Sequence, residues 1–101
     1  MFKTLLTALG LGLATFISAG DAQAQYVGGG WTCVGPCQIP GGRPFIDQRG
    51  GAITLYNEVR QPSRAYFADP FTIVAIDWRV TGRIARGGEA IFWNNGTRWV
   101  R

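Results

Sequence analysis

Gly82-Arg83-Ile84-Ala85-Arg86-Gly87-Gly88-Glu89-Ala90-Ile91-Phe92-Trp93-Asn94-Asn95-Gly96-Thr97-Arg98-Trp99-Val100 is the stretch whose reading decides the fold. Two turn dipeptides, Gly87-Gly88 and Asn95-Gly96, separate three short apolar runs. Asn-Gly favours the two-residue type I′ hairpin, whose central residues both take positive φ. That turn predicts the pairs Asn94–Thr97, Trp93–Arg98, Phe92–Trp99 and Ile91–Val100. Trp93 and Arg98 then form a cation–π pair, and Phe92 meets Trp99 on the opposite face. A hairpin at Gly87-Gly88 sets Arg86 against Glu89, Ile84 against Ile91, and Gly82 across from Trp93, where the indole covers the glycine. Both hairpins place Ile84, Ile91, Trp93 and Val100 on one face, which is read as core. The result is a three-stranded meander.

Working towards the N-terminus, Phe71 to Ile84 is β-branched and aromatic and reads as one long strand with a bend near Asp77 or Gly82. Gln61-Pro62-Ser63 is a break. Ala52 to Val59 is a strand with Ile53, Leu55 and Asn57 on one face. Arg49-Gly50-Gly51 is a turn and Phe45 to Gln48 a further strand. Residues 25–44 hold Gly28-Gly29-Gly30, Gly35-Pro36, Pro40-Gly41-Gly42 and Pro44, punctuation that leaves no useful helix. The expected fold is all-β: a small antiparallel β-barrel or sandwich of five to six strands with a coil-rich N-terminal segment.

The 101 residues divide at a leader. Met1-Phe2-Lys3 is a short basic start, Leu5 to Ile17 an apolar core, and Ala22-Gln23-Ala24 a small-x-small cleavage pattern. About 13 apolar residues fall short of the ~20 that span a bilayer. The expectation is a secretory signal of bacterial type over 1–24, cleaved near Ala24-Gln25, and a single small β domain over 25–101. The mature chain is then secreted or periplasmic, in an oxidising compartment, with no stable membrane span. At this length a folded chain buries only about 60–65% of its unfolded surface. A Rossmann fold or a (β/α)8 barrel cannot be accommodated.

Lys3 is the one lysine among ten basic residues, so the domain is left with nine arginines against Asp47, Glu58, Asp69, Asp77 and Glu89. The chain has four Trp, three Tyr and six Phe, of which only Phe2 and Phe16 fall in the leader. A small core needs such bulk to bury enough area. Guanidinium and indole together also suit a ligand surface.

His is absent, which removes the usual general base, the usual metal ligand and any Ser-His triad. Trp31-Thr32-Cys33-Val34-Gly35-Pro36-Cys37 resembles the Trp-Cys-Gly-Pro-Cys site of thioredoxins, with extra residues inserted. Three residues separate the cysteines where redox activation needs two, and Gln38-Ile39-Pro40-Gly41-Gly42 cannot open the helix that lowers a thiol pKa. A Cu(I) site would need a further His or Met. A local Cys33–Cys37 disulfide is the expectation. The five carboxylates lie in separate segments, and Asp77 is expected to pair with an arginine such as Arg79 or Arg83. Asn95-Gly96-Thr97 is read as a turn, not a glycan acceptor.

These observations lead to an expected non-enzymatic binding module, lectin-like and carbohydrate-binding. Ligand contacts are assigned to Trp31, Trp93, Trp99, Arg98, Tyr56 and Asn94, with no catalytic residue, metal or cofactor. The alternative is a protein-interaction module, either an inhibitor of a secreted enzyme or an envelope component that oligomerises through strand edges. The expected partner is a glycan or another extracytoplasmic protein, not nucleic acid, and the reading leaves room for a homo-oligomer.

Overall fold

The computed structural model describes residues 25–101; the leader expected over 1–24 lies outside them. The described chain is all-β. Its strands are β1 (Gly29–Gly30), β2 (Thr32–Val34), β3 (Phe45–Arg49), β4 (Ala52–Tyr56), β5 (Pro62–Asp69), β6 (Thr72–Ala75), β7 (Val80–Ala85), β8 (Ala90–Trp93) and β9 (Arg98–Val100), with a 3₁₀ turn at Arg86–Gly88. They form one antiparallel sheet in the order β1-β3-β4-β5-β6-β7-β8-β9-β2.

The two ends of that order are adjacent in sequence, and this closes the sheet. Segment 29–34 pairs on one side with β3, through Gly29 opposite Ile46 and Gly30 opposite Phe45. On the other side it pairs with β9, through Cys33 opposite Trp99. Between these ladders the Trp31 amide donates to the Pro44 carbonyl at 2.9 Å and the Cys33 amide to the Gly42 carbonyl at 2.9 Å. The segment is therefore a stave with neighbours on both flanks, and the sheet is a nearly closed barrel of nine strands rather than five or six. The stretch expected to be coil contributes Val27, Trp31 and Cys33 to the core.

Alternation along each strand fills the interior. Inward rows run Ile84–Ile91–Trp99–Cys33 and Gly82–Trp93 across the registered pairs. On the facing wall small inward residues, Ser63 and Ala65 on β5 and Ala75 on β6, are buried among Ile53, Leu55 and Ile73. Small residues on one wall leave room for indoles from the other, so the cross-section is filled with few wide gaps. Gly82 needs to lack a side chain, because a Cβ there would lie 2.7 Å from Ile91 Cγ2 and 2.8 Å from Trp93 Cε3.

Three expectations are corrected. The Phe71–Ile84 strand is a hairpin: β6 and β7 pair Ala75 with Val80, and the expected bend at Asp77 is a full reversal. The break at Gln61-Pro62-Ser63 is instead the start of β5, the longest strand. The C-terminal hairpin is one residue out of the expected register. Ile91 faces Trp99 and Phe92 faces Arg98. The Trp93 amide donates to the Thr97 carbonyl and the Gly96 amide to the Trp93 carbonyl, with Gly96 at φ +96°. This is the three-residue loop with a left-handed glycine, not the two-residue turn. A slip of one residue exchanges faces: Trp99 goes into the core, and Val100 is only half-buried. The cation–π partner of Arg98 is accordingly Phe92, at 5.8 Å. The β7–β8 register stands as expected, with Gly82 opposite Trp93 and Ile84 opposite Ile91.

One end of the barrel is closed by the chain termini of the described region. Val27 donates its amide to Gln48 Oε1 at 2.8 Å, and Gln48 Nε2 donates to the Gln25 carbonyl at 3.1 Å. The Arg101 guanidinium lies 4.3 Å from the Trp31 ring centre and donates to the carbonyls of Gly88, Gly28 and Tyr26. No helix among the described residues is long and apolar enough to cross a membrane.

Candidate functional site at the open end of the barrel

Antiparallel strands put alternate loops at the same end. The 34–42 loop, the β4–β5 loop, the β6–β7 turn and the β8–β9 loop therefore all gather opposite the closed end. Between them lies a pocket of about 310 Å³, lined by residues of all four. Its volume sits at the lower end of the ~300–1,000 Å³ range of small-ligand sites.

Trp78, Trp93 and Trp99 supply the aromatic lining, with Val80, Pro36 and the disulfide. Trp99 lies between the other two, edge-to-face with Trp93 at 5.1 Å and with Trp78 at 6.2 Å. Edge-to-face is a favoured arrangement of aromatic pairs. The polar lining is Gln38, Asn57, Glu58, Gln61, Asn95 and Thr97. The loops that carry it are internally braced. Asn57 Oδ1 accepts from the Val59 and Gln61 amides, and Asn95 Oδ1 accepts from the Thr97 amide and hydroxyl. Glu58 Oε2 accepts from the Gln38 amide at 2.6 Å and the Ile39 amide at 3.3 Å, tying the β4–β5 loop to the disulfide loop.

Cys33 and Cys37 form the expected disulfide, with S–S 2.04 Å. Disulfides persist in oxidising, extracytoplasmic environments. Both sulfurs lie within 4.8 Å of a Glu58 oxygen and of each other. Bonded together, they offer no thiolate to a metal.

The structure brings only part of the expected ligand set together. Trp93 and Trp99 line the pocket. Trp31 is fully buried at the closed end, its Nε1 donating to the Val27 carbonyl at 2.9 Å. Arg98 is on the outer wall over Phe92. Tyr56 stands on β4 between Phe45 and Pro62. Asn94 is exposed, and its Oδ1 accepts from the Thr81 amide at 3.1 Å. Trp78 and the polar rim were missed by sequence reasoning. They come from loops far apart in the chain, and only the barrel's closure makes them neighbours.

One polar feature separates these tryptophans from Trp31. The Nε1 atoms of Trp78 and Trp93 are buried and have no hydrogen-bond partner among the described residues. Asp77 pairs with Arg64, not with Arg79 or Arg83 as expected: Arg64 Nη2 lies 2.8 Å from Asp77 Oδ1, and the Arg64 amide donates to Oδ2. Hydrogen bonds from the Arg64 side chain and amide, with its charge, hold the Asp77 carboxyl at a pKa of about 2. This pair braces the β6–β7 turn outside the pocket.

Comparison with known proteins brings no family model, curated protein or solved structure that matches the chain.

Proposed function

We propose that this chain is a secreted or periplasmic, non-enzymatic binding module whose open-end pocket takes a carbohydrate. The observation that carries the reading is the meeting of three indoles with a rim of side-chain amides, a hydroxyl and one carboxylate in a single recess. Indole surface suits the apolar face of a pyranose, and amides and carboxylate suit its hydroxyls. A two-carboxylate hydrolase needs a second acid in the same cleft, and among the described residues Glu58 is the one carboxylate lining this pocket. The disulfide and the leader-like sequence over 1–24 support export.

Indole emission is the direct readout, because three of the four tryptophans line the pocket. Titration with a broad set of mono- and disaccharides is expected to give a saturable change for at least one of them. Glu58→Gln is expected to weaken it. A flat response to the whole set at millimolar concentration overturns the reading.

A second reading, a protein-interaction module, draws on the outer wall. Phe92 is exposed and registered between Arg83 on β7 and Arg98 on β9. Aromatic and arginine side chains are enriched at interfaces. Segment 29–34 is paired on both flanks, so association through free strand edges has little to work with here. Mass by light scattering, compared between the parent and Phe92→Ser, tests this reading. An unchanged monomer in both removes self-association.

A further inference from the structure

Resting on the carbohydrate reading above, we propose that the pocket recognises an acetamido group, so that its ligand is a 2-acetamido sugar rather than a plain, acidic or amino sugar. Four features of the pocket converge on that substituent.

The first is a surplus of buried donors. Among the described residues Trp78 Nε1 and Trp93 Nε1 have no acceptor, whereas Trp31 Nε1 in the same barrel has one. Buried donors nearly always find partners. Two orphans among the residues of one pocket call for an acceptor that arrives from outside, such as a carbonyl oxygen. Neither atom is open to the pocket as it stands, so pairing with that oxygen requires an indole to shift, and Trp78 is the less buried of the two.

The second feature is charge. The described residues include nine arginines, yet none lines the pocket, where Glu58 is the charged residue. A carboxylate, sulfate or phosphate on the ligand would meet a like charge and no cation. Acidic sugars are therefore disfavoured.

The third is a free acceptor. Glu58 Oε2 is occupied by two backbone amides. Among the described residues Oε1 accepts nothing and can take an N–H or hydroxyl from the ligand. The fourth is apolar surface: Val80, Pro36, Trp99 and the disulfide can surround a methyl.

An acetamido group carries a carbonyl acceptor, an N–H donor and a methyl within a few ångströms. A hydroxyl in its place lacks the methyl. An ammonium offers donors only and leaves both indoles unpaired.

The test titrates the unaltered protein with N-acetylglucosamine, glucosamine and glucose, reading indole emission and, independently, calorimetric heat. N-acetylglucosamine is expected to bind at least about tenfold more tightly than either, roughly the net worth of one hydrogen bond. Trp78→Phe keeps an aromatic ring at a partly exposed position and removes the N–H. It is expected to weaken N-acetylglucosamine binding several-fold more than it weakens glucose binding, and so to erase most of that preference. Trp93→Phe checks the second donor where the variant keeps its cooperative unfolding. Equal binding of glucose and N-acetylglucosamine overturns the acetamido proposal and leaves the carbohydrate reading standing. Tightest binding of glucosamine also overturns it, in favour of recognition led by the Glu58 charge. Silence with all three and with the wider sugar set overturns both.

Discussion

Gly82 and Trp93 face each other across β7 and β8, and the indole edge occupies the space where a Cβ at Gly82 would stand. Backbone and ring are thereby locked at the floor of the pocket. Gly82→Ala forces a methyl to within 2.8 Å of the ring and 2.7 Å of Ile91. The expected cost is about 1–3 kcal/mol of overpacking. In a domain of this size each kcal/mol lowers Tm by roughly 4–8 °C. Urea unfolding followed by tryptophan emission measures it; unchanged stability would show that the floor is looser than its contacts indicate.

Arg101 reaches three carbonyls on two separate segments and also covers the Trp31 ring. Arg101→Ala is expected to cost about 1–2 kcal/mol after allowance for its exposure to water. Arg101→Lys should recover little, since an ammonium is a point donor and cannot fork across the same carbonyls. Hydrogen exchange of the Val27 and Trp31 amides is the local readout. It should accelerate in both variants ahead of the β4 and β5 amides.

The disulfide closes a loop of about five residues, which the chain-entropy estimate values at about 2 kcal/mol. Reduction should lower the urea midpoint accordingly. It should also release Pro36 and Gln38 from the pocket wall, so ligand-induced changes in indole emission should weaken more than Tm alone accounts for. A Cys33→Ala/Cys37→Ala double variant should match the reduced protein.

Acid sensitivity has a definite sign. The folded Asp77 carboxyl titrates near 2, below its unfolded value of ~3.9. Its contribution is full above about pH 5 and is lost as pH falls through 4 towards 2. Asp77→Asn should be slightly less stable than the parent at neutral pH and should converge with it near pH 2. Because the pair is exposed, the gap should be small and should shrink further in high salt. Parallel pH curves for the two proteins would exclude the assignment.

The sequence shows the meander of β7 and β8 with correct register because two signals agree there. A glycine pair marks the turn, and the β-branched Ile84 and Ile91 fall at equal distances from it. At Asn95-Gly96 the same dipeptide serves either a two- or a three-residue loop, and the choice falls to packing, which draws Trp99 inside. β5 escapes notice because its buried face is Ser63 and Ala65. Small inward residues carry no hydrophobic period, although the opposing indoles require them. For the site, Trp93 and Trp99 are legible as candidates from their aromatic character alone. The pocket is not, because Gln38, Glu58, Trp78 and Asn95 have no sequence spacing in common. They share only an end of the barrel.

All the sheet's pairings except those of segment 29–34 join strands adjacent in sequence, so the eight-ladder structure has one slow step. A meander from β3 to β9 can assemble hairpin by hairpin, each at low loop-closure cost. The seam of Thr32–Val34 with Arg98–Val100 joins residues nearly 70 apart, at an entropic cost of about 3–4 kcal/mol for an otherwise open chain. Folding should therefore proceed through an unsealed sheet with β3 and β9 bare along their outer sides. That species is the one prone to edge-to-edge aggregation, and the speed with which Trp31 and Cys33 enter the seam sets how long it persists.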